Sequence, residues 1–316
     1  MAPFHRVVAY APPRTTTLGL GIAGAVFRAR PELTRFDFLV CGARRGRVDT
    51  DLGAPIVVDH GPDAIASADL VLVLPGADYL VPPPERVAAA LHAAHRRGAV
   101  VAAHCLGVFT LAATGLLDGH PATTHWQHAA ELAARHPDID VRPQELYVDQ
   151  GSLLTGAGAA AGMDLYLHLV RREHGAATAN DLARTLVVPP HRDGGQQQYI
   201  SAPVAPQGDG ERLGETIAWA SENLHRPLPV DVLAARALMS RRSFIRHFRA
   251  ATGTTPHAWL VARRLNLAEE LLETTELSVQ QVAERVGYSS AAVLREQFTR
   301  RRGVPPRRYR RTFGTA

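Results

Sequence analysis

The chain has 316 residues, 46% of them hydrophobic and 21% charged, which is ordinary for a soluble globular protein and long enough for two domains. No stretch approaches ~20 uncharged apolar residues, which excludes a membrane span, and "MAPFHRVVAYAPP" lacks the apolar run and cleavage site of an export signal. The net charge of +5 is uneven: residues 209–316 hold 18 arginines against 11 acidic residues, residues 1–208 hold 17 against 19, and a basic C-terminal third points to a polyanionic partner.

From the N-terminus, "HRVVAY" (5–10), "RFDFLVCG" (35–42), "ADLVLVLPG" (68–76) and "GAVVAAH" (98–104) read as buried strands. Between the last two, "PERVAAALHAAHRRG" (84–98) places Val87, Leu91 and Ala94 on one helical face and closes at Gly98. Strand alternating with helix implies a parallel sheet covered on both faces. "GLGIAG" (19–24) matches a dinucleotide-loop spacing, but the seven residues "APPRTTT" stand between Tyr10, where the strand ends, and Leu18-Gly19, so its small residues read as a helix packed close to the sheet. Cys105 falls where the strand Ala99–Ala103 meets a helix beginning at Leu106-Gly107. Cys41, inside an apolar run, reads as core. Two cysteines make no disulfide framework and fit a reducing cytoplasm. "ELYVDQGSLLTG" (145–156) reads as a hairpin turning at Asp149-Gln150-Gly151, and 160–175 as a closing helix. Residues 187–210, rich in Pro, Gly and Gln, read as the linker, which gives an α/β domain over 1–190, a linker over 191–210 and a helical domain over 211–316.

The helical third repeats itself. At an offset of 50, Ser240 matches Ser290, Phe244 Leu294, Phe248 Phe298, Gly253 Gly303, Pro256 Pro306 and Trp259 Tyr309. Each copy reads as helix, turn, helix: Ser278 and Gln281 form a capping box, and Pro229 suits an opening helical position. A long helix, Pro256 to Thr274, separates the copies, with Val261, Leu265, Ala268 and Leu272 able to pack against both. At ~1.5 Å per residue it spans about 28 Å, near the ~34 Å repeat of the duplex. Glu269, Glu270 and Glu273 on it read as a solvated face.

"VAERVGYSSAAVLREQFTRRRGVPPRRYR" resembles the AraC-type DNA-binding domain nearly throughout, with Leu294 where that family usually has Phe. In this reading Phe244, Ile245 and Phe248 face the core, and Arg241, Arg242, Ser243 and Arg246 face DNA. On the second reading helix the matching positions are Ala291, Ala292, Arg295 and Glu296, and Ser290, at its start, joins Ala291, Ala292 and Arg295 in the DNA-facing set. Two alanines offer methyl contacts only, so the first helix is the stronger reader. The tail "RRRGVPPRRYRR", with Arg307 and Arg308, reads as a phosphate clamp.

Residues ~5–190 resemble the ThiJ/PfpI branch of the class I glutamine-amidotransferase-like superfamily, through Cys105 in "AAHCLGVF", His125 in "ATTHW" and Gly76 in "VLPGAD". The resemblance implies a flavodoxin-like parallel sheet sandwiched by helices, followed here by an all-α double helix-turn-helix domain. It also implies a pocket in which the N–H groups of Gly76 and Leu106 face an anion beside Cys105 and His125. Enzymes of this branch carry a carboxylate after the first strand. Here "PPRTTTLGLGIAGAVF" has none, and Gly19 stands about where it would be. The expectation is therefore a cytoplasmic, sequence-specific transcription regulator whose α/β domain senses a small-molecule effector and dimerises without catalysis. Its partners would be promoter DNA, the effector and, as a further candidate, RNA polymerase. No cofactor is expected, and no metal, although "HWQH" (125–128) lies near His104 and Cys105. The alternative is a cysteine-dependent hydrolase or aldehyde-handling lyase with an attached DNA-binding domain. A nonspecific nucleic-acid compactor would need only charge and leaves the doubled module unexplained.

Overall fold

Three of the four apolar runs become central strands of one sheet because successive residues point to opposite faces and both faces are covered, whereas the run at 35–42 becomes an edge strand that is mostly half-buried. The computed structural model describes residues 3–28, 36–158, 160–189, 192, 194, 198 and 209–314. Strands β1 (Arg6–Tyr10), β2 (Asp37–Cys41), β3 (Leu70–Val73), β4 (Val100–His104), β5 (Tyr147–Asp149) and β6 (Leu153–Gly156) lie in the order β2-β1-β3-β4-β6-β5. All neighbours are parallel except the β5–β6 hairpin, whose turn places Gly151 at φ +77°. Val7 and Ala9 face a core built with helices α1 (Thr17–Phe27) and α5 (Ala160–His174), through Ile22, Phe27, Leu165 and Tyr166. Val8 and Tyr10 face the other core with α2 (Glu85–Arg96) and α3 (Gly107–Ala112), through Val87, Leu91, Val108 and Phe109. Cys41 is fully buried there, and burial pushes its thiol up to about 12. Two further helices, α4 (Ala129–Arg135) and α6 (Ala176–Leu186), complete this part, and neither is anticipated by the sequence reading.

The "GLGIAG" stretch lies inside α1. The helix N-terminus is already occupied, since Thr16 Oγ1 accepts the Gly19 N–H (3.3 Å) and Asp51 accepts the Thr17 N–H (2.9 Å). A Cβ at Gly19 would stand 2.7 Å from the Pro75 ring, so the glycine marks a close approach.

His104, at the end of β4, is fully buried, and the Tyr166 hydroxyl bonds its Nδ1 at 3.0 Å. Burial holds its pKa down at about 4. A histidine depressed on folding binds its proton more readily when unfolded, so stability present at neutral pH is lost as pH falls from ~6.5 toward 4. The expected loss is up to about 3 kcal/mol for the unit holding His104. His104→Gln, which takes up no proton, flattens that part of the profile in urea unfolding of the full chain. An unchanged slope would assign the acid limb to other groups.

The chain divides by its contacts into residues 1–173 with 178–198, and 174–177 with 199–316. Most of the linker expected at 191–210 lies outside the described residues. In the second unit α7 (Asp209–Glu222), also unread from sequence, leads into α8 (Val230–Arg236), α9 (Arg241–Thr252) and α10 (Pro256–Thr274). Then follow α11 (Val279–Val286), α12 (Ala291–Arg302) and α13 (Pro306–Phe313). From Ser240 and Ser290 onward the two copies share their caps, closures and aromatic contacts. Ser240 and Ser290 cap α9 and α12, and Gly253 and Gly303 close them, each at φ +72°. Phe248 meets Trp259 edge-on at 5.7 Å and Phe298 meets Tyr309 at 5.3 Å. The Ser278–Gln281 capping box is present, whereas Pro229 is the residue just before α8 rather than its first turn.

Two expectations are corrected. Val261, Leu265, Ala268 and Leu272 all belong to the second module's core, and α10 serves the first module through Trp259 and Leu260 instead. The glutamate cluster is not solvated: Glu269 is 1% and Glu273 3% exposed. Their spacing of four puts them on one helical face, toward α12 and α13. There the Arg302 guanidinium bonds Glu269 and Asn266, and the Tyr309 hydroxyl donates to Glu273 at 2.6 Å. Glu270 keeps partial exposure.

Candidate functional site

Cys105 adopts a left-handed backbone, φ +52°, which a residue with a Cβ holds only when its surroundings fix it. Here they do. Its N–H donates to the Gly156 carbonyl of β6 (2.9 Å), and its own carbonyl accepts the Thr124 hydroxyl (2.7 Å) and the Val108 N–H (3.2 Å). Gly107 opens α3 against the end of β3, since a Cβ there would lie 2.4 Å from the Val73 carbonyl oxygen. This is the sharp strand-to-helix corner the sequence suggested, with Leu106 as the cap of α3.

His125 converges on the same point. A Cβ on Gly158 would stand 2.3 Å from His125 Cδ2 and 2.9 Å from Cys105 Sγ, so thiol and imidazole share one glycine-floored space. His125 Nδ1 accepts the Gln127 N–H at 3.3 Å, which in the neutral ring leaves the proton on Nε2. Burial, with neighbouring His128, holds His125 below the usual histidine range. Trp126, 45% exposed, stacks on it at 5.9 Å. Beyond His128 the Tyr79 hydroxyl donates to Glu131 (3.0 Å).

Gly76 lies in the loop after β3. Thr16 N–H donates to the Pro75 carbonyl (2.8 Å) and Ala77 N–H to the Arg14 carbonyl (3.0 Å), which makes Thr15 and Gly76 the pair between two ladder bonds. The Gly76 N–H is therefore turned away from that ladder. Its flank is closed by Pro12, 2.8 Å from a Cβ position. Among the described residues no group of three or more His, Cys, Asp or Glu is arranged for a metal ion, and His104 is committed to Tyr166.

The second candidate surface is on α9 and α12. Arg241, Arg242 and Arg246 are exposed while Phe244 and Phe248 are buried, as the helical spacing requires. Arg241 lies 3.5 Å from Asp231. Ser243 is half-buried, its N–H on the Ser240 cap, and Ile245 is half-buried rather than core. On α12, Ala292 and Arg295 are exposed and Ser290 is the half-buried cap. Ala291, however, is 7% exposed and packs with Val286, Leu294 and Phe298, so it belongs to the core and not to the surface. The arginine tail divides in the same way. Arg307 and Arg308 are exposed, whereas Arg302 is bound to Glu269 and Arg310 to the carbonyls of Leu272 and Leu277.

Sequence reasoning missed Gly107, Gly158 and Thr124, which hold the elbow. Each stood in a legible signal, "CLG", "TGAGAA" and "TTH", but which strand end each would meet is a tertiary fact.

An elbow-cysteine α/β unit joined to a doubled helix-turn-helix unit defines a two-part DNA-binding regulator. A family model described as "DJ-1/PfpI family" matches residues 5–172, and one described as "Helix-turn-helix domain" matches residues 233–312. The HTH-type transcriptional regulator ArgR of Pseudomonas aeruginosa is 30% identical over 223 residues, 70% of this chain and 68% of that protein. The regulator GbdR of the same species is 28% identical over 255 residues, 81% and 69%. Drosophila melanogaster DJ-1beta is similar in fold alone: 19% identity, TM-score 0.52, covering 60% of this chain and 100% of that one. The chain belongs to the DJ-1/PfpI family and is an AraC-type DNA-binding transcriptional regulator. Among the described residues no helix is long and apolar enough to cross a membrane.

Proposed function

We propose that the α/β unit, taken as residues 1–190, is a sensor whose pocket at Gly76, Cys105, Leu106 and His125 binds a small anionic effector without transforming it. Residues 211–316 read one operator through Arg241, Arg242, Ser243, Arg246, Ser290, Ala292 and Arg295, with Arg307 and Arg308 on phosphates. The observation that carries the non-catalytic reading is at Gly19. The position where family enzymes place their acid is closed by Pro75, at 2.7 Å from any Cβ, and His125 Nδ1 is already an acceptor for Gln127. The pocket thus offers donors, the Nε2–H and backbone N–H groups, and an aromatic wall at Trp126. Those suit binding a carboxylate or amide oxygen better than activating a thiol.

The effector acts by favouring one arrangement of paired sensor units in a cytoplasmic homodimer, which requires different affinities for the two arrangements. RNA polymerase would be the downstream partner. The test is a panel of small carboxylates, amides and aldehydes on the full-length protein. One class raises Tm and alters the DNA footprint while remaining unconsumed, and sedimentation shows a dimer. Consumption of a panel compound that vanishes in Cys105→Ser would make the protein an enzyme. Equal binding to every duplex with a steep salt slope would make it a compactor.

A further inference from the structure

The His125 segment is held by Gln198, the last residue that groups with the α/β unit before the chain passes to the second. The two N–H groups of the Gln198 side-chain amide are shared among Thr123 Oγ1 (3.0 Å), the Thr124 carbonyl (2.7 Å) and the Glu145 carbonyl (2.9 Å), and its Oε1 accepts the Trp126 N–H (2.9 Å). One side chain therefore grips the backbone on both sides of His125. The Thr124 it holds is the residue whose hydroxyl fixes the Cys105 carbonyl. The Gln198 N–H donates to the Gln144 carbonyl (3.2 Å). Upstream, the Gly194 carbonyl accepts the Leu146 N–H (2.6 Å), and the Tyr147 hydroxyl donates to the Arg192 carbonyl (3.0 Å). The Arg192 guanidinium meets Asp164 at 3.2 Å. A Cβ at Gly194 would stand 2.4 Å from the Tyr147 carbonyl oxygen, so the approach is one that glycine permits.

We propose that Gln198 is a positioning residue for the sensor pocket, and that seating of the connecting stretch at Arg192, Gly194 and Gln198 is coupled to the placement of His125. This rests on the pocket reading and adds how the pocket's state is transmitted. In sequence, the chain runs from Gln198 directly toward the DNA-binding unit. A ligand that draws His125 into a new position moves Thr124 and Trp126 with it and spoils a four-point grip that needs both at once. Coupling is reciprocal, so unseating Gln198 must also disturb the elbow.

The test needs no knowledge of the effector. In full-length protein, trypsin cleavage after Arg192 is followed by fragment mass, and the pocket by the rate at which iodoacetamide alkylates Cys105. Gln198→Ala changes both rates about fivefold or more. Gly158→Ala, whose methyl presses on His125 from the pocket side, speeds cleavage after Arg192 in the wild-type background but adds nothing in Gln198→Ala. If Gly158→Ala does not fold, N-ethylmaleimide on Cys105 applies the same push without a substitution. Either rate staying at its wild-type value in Gln198→Ala, or strictly additive effects in the pair, overturns the proposal. That can happen while a panel compound still raises Tm, and the coupling can stand while no compound binds, so the two readings fail separately.

Discussion

Arg246→Ala weakens binding to the operator by about 1–3 kcal/mol and relaxes base preference at one position of the site, with the melting of the protein unchanged. The expectation follows from where α9 puts its side chains. Phe244 and Phe248 are spent on the core, and Arg242 and Arg246, one turn apart, are left exposed with no carboxylate bonded to either among the described contacts. Guanidinium groups so placed can form two parallel bonds to a guanine edge. Arg307→Ala and Arg308→Ala lower affinity evenly across sequences and each reduce the salt slope by about one. Arg302→Ala and Arg310→Ala are a different kind of lesion. The first removes a guanidinium bonded to buried Glu269, and the second removes the donor that bonds the carbonyls of Leu272 and Leu277. Both act on stability before they act on DNA. Footprinting and equilibrium binding at two salt concentrations, with urea unfolding alongside, separate the three classes. Wild-type affinity and footprint in Arg246→Ala would remove that residue from the reading set.

The arginine census shows where sequence stops being informative. Helical periodicity identified Arg242 and Arg246 as outward, because a residue's face on its own helix is a local matter. It could not separate Arg302 from Arg307, since what Arg302 meets is a glutamate 33 positions earlier on another helix. The same limit explains Glu269 and Glu273. Acidic residues at spacing four are solvated unless a second helix lies on that face, and composition says nothing of the second helix. In the α/β unit the strand runs, the α2 helix and the elbow at Cys105 were legible because continuous apolar strands and a Cys-Leu-Gly corner are short-range signals. The grip of Gln198 on Thr124 and Trp126 joins residues more than seventy positions apart, inside a stretch whose composition reads only as linker.

Gly287→Ala and Leu238→Gly change stability in opposite directions, although the two residues occupy equivalent turns. Each is the left-handed residue between the helices of its module: Leu238 at φ +55°, followed after one residue by the Ser240 cap, and Gly287 at φ +89°, followed after two by Ser290. The turns thus differ by one residue, and the offset of 50 that relates α9 to α12 becomes 49 before them. A leucine in this conformation is strained by about 1–2 kcal/mol, and at 74% exposure its side chain returns little packing. Leu238→Gly therefore stabilises the unit by about 1 kcal/mol after the glycine's own entropy is counted. Gly287 has no such latitude. A Cβ there would stand 2.2 Å from the Leu224 carbonyl oxygen and 2.7 Å from Arg264 Nη2. Arg264, on α10, donates to the carbonyls of Leu224 (3.0 Å) and Arg226 (2.8 Å) and lies over the Tyr288 ring at 5.6 Å. Leu224 belongs to the first module's core and Tyr288 to the second's, so this contact fixes one module against the other. Gly287→Ala adds backbone strain to a clash with main chain and is expected to cost about 3–5 kcal/mol. Its effect on DNA should exceed that of Arg246→Ala, since it disturbs the spacing of two reading helices rather than one contact. Full-length Gly287→Ala that melts with the wild type and binds the whole operator normally would show that the modules do not need this junction to read DNA together.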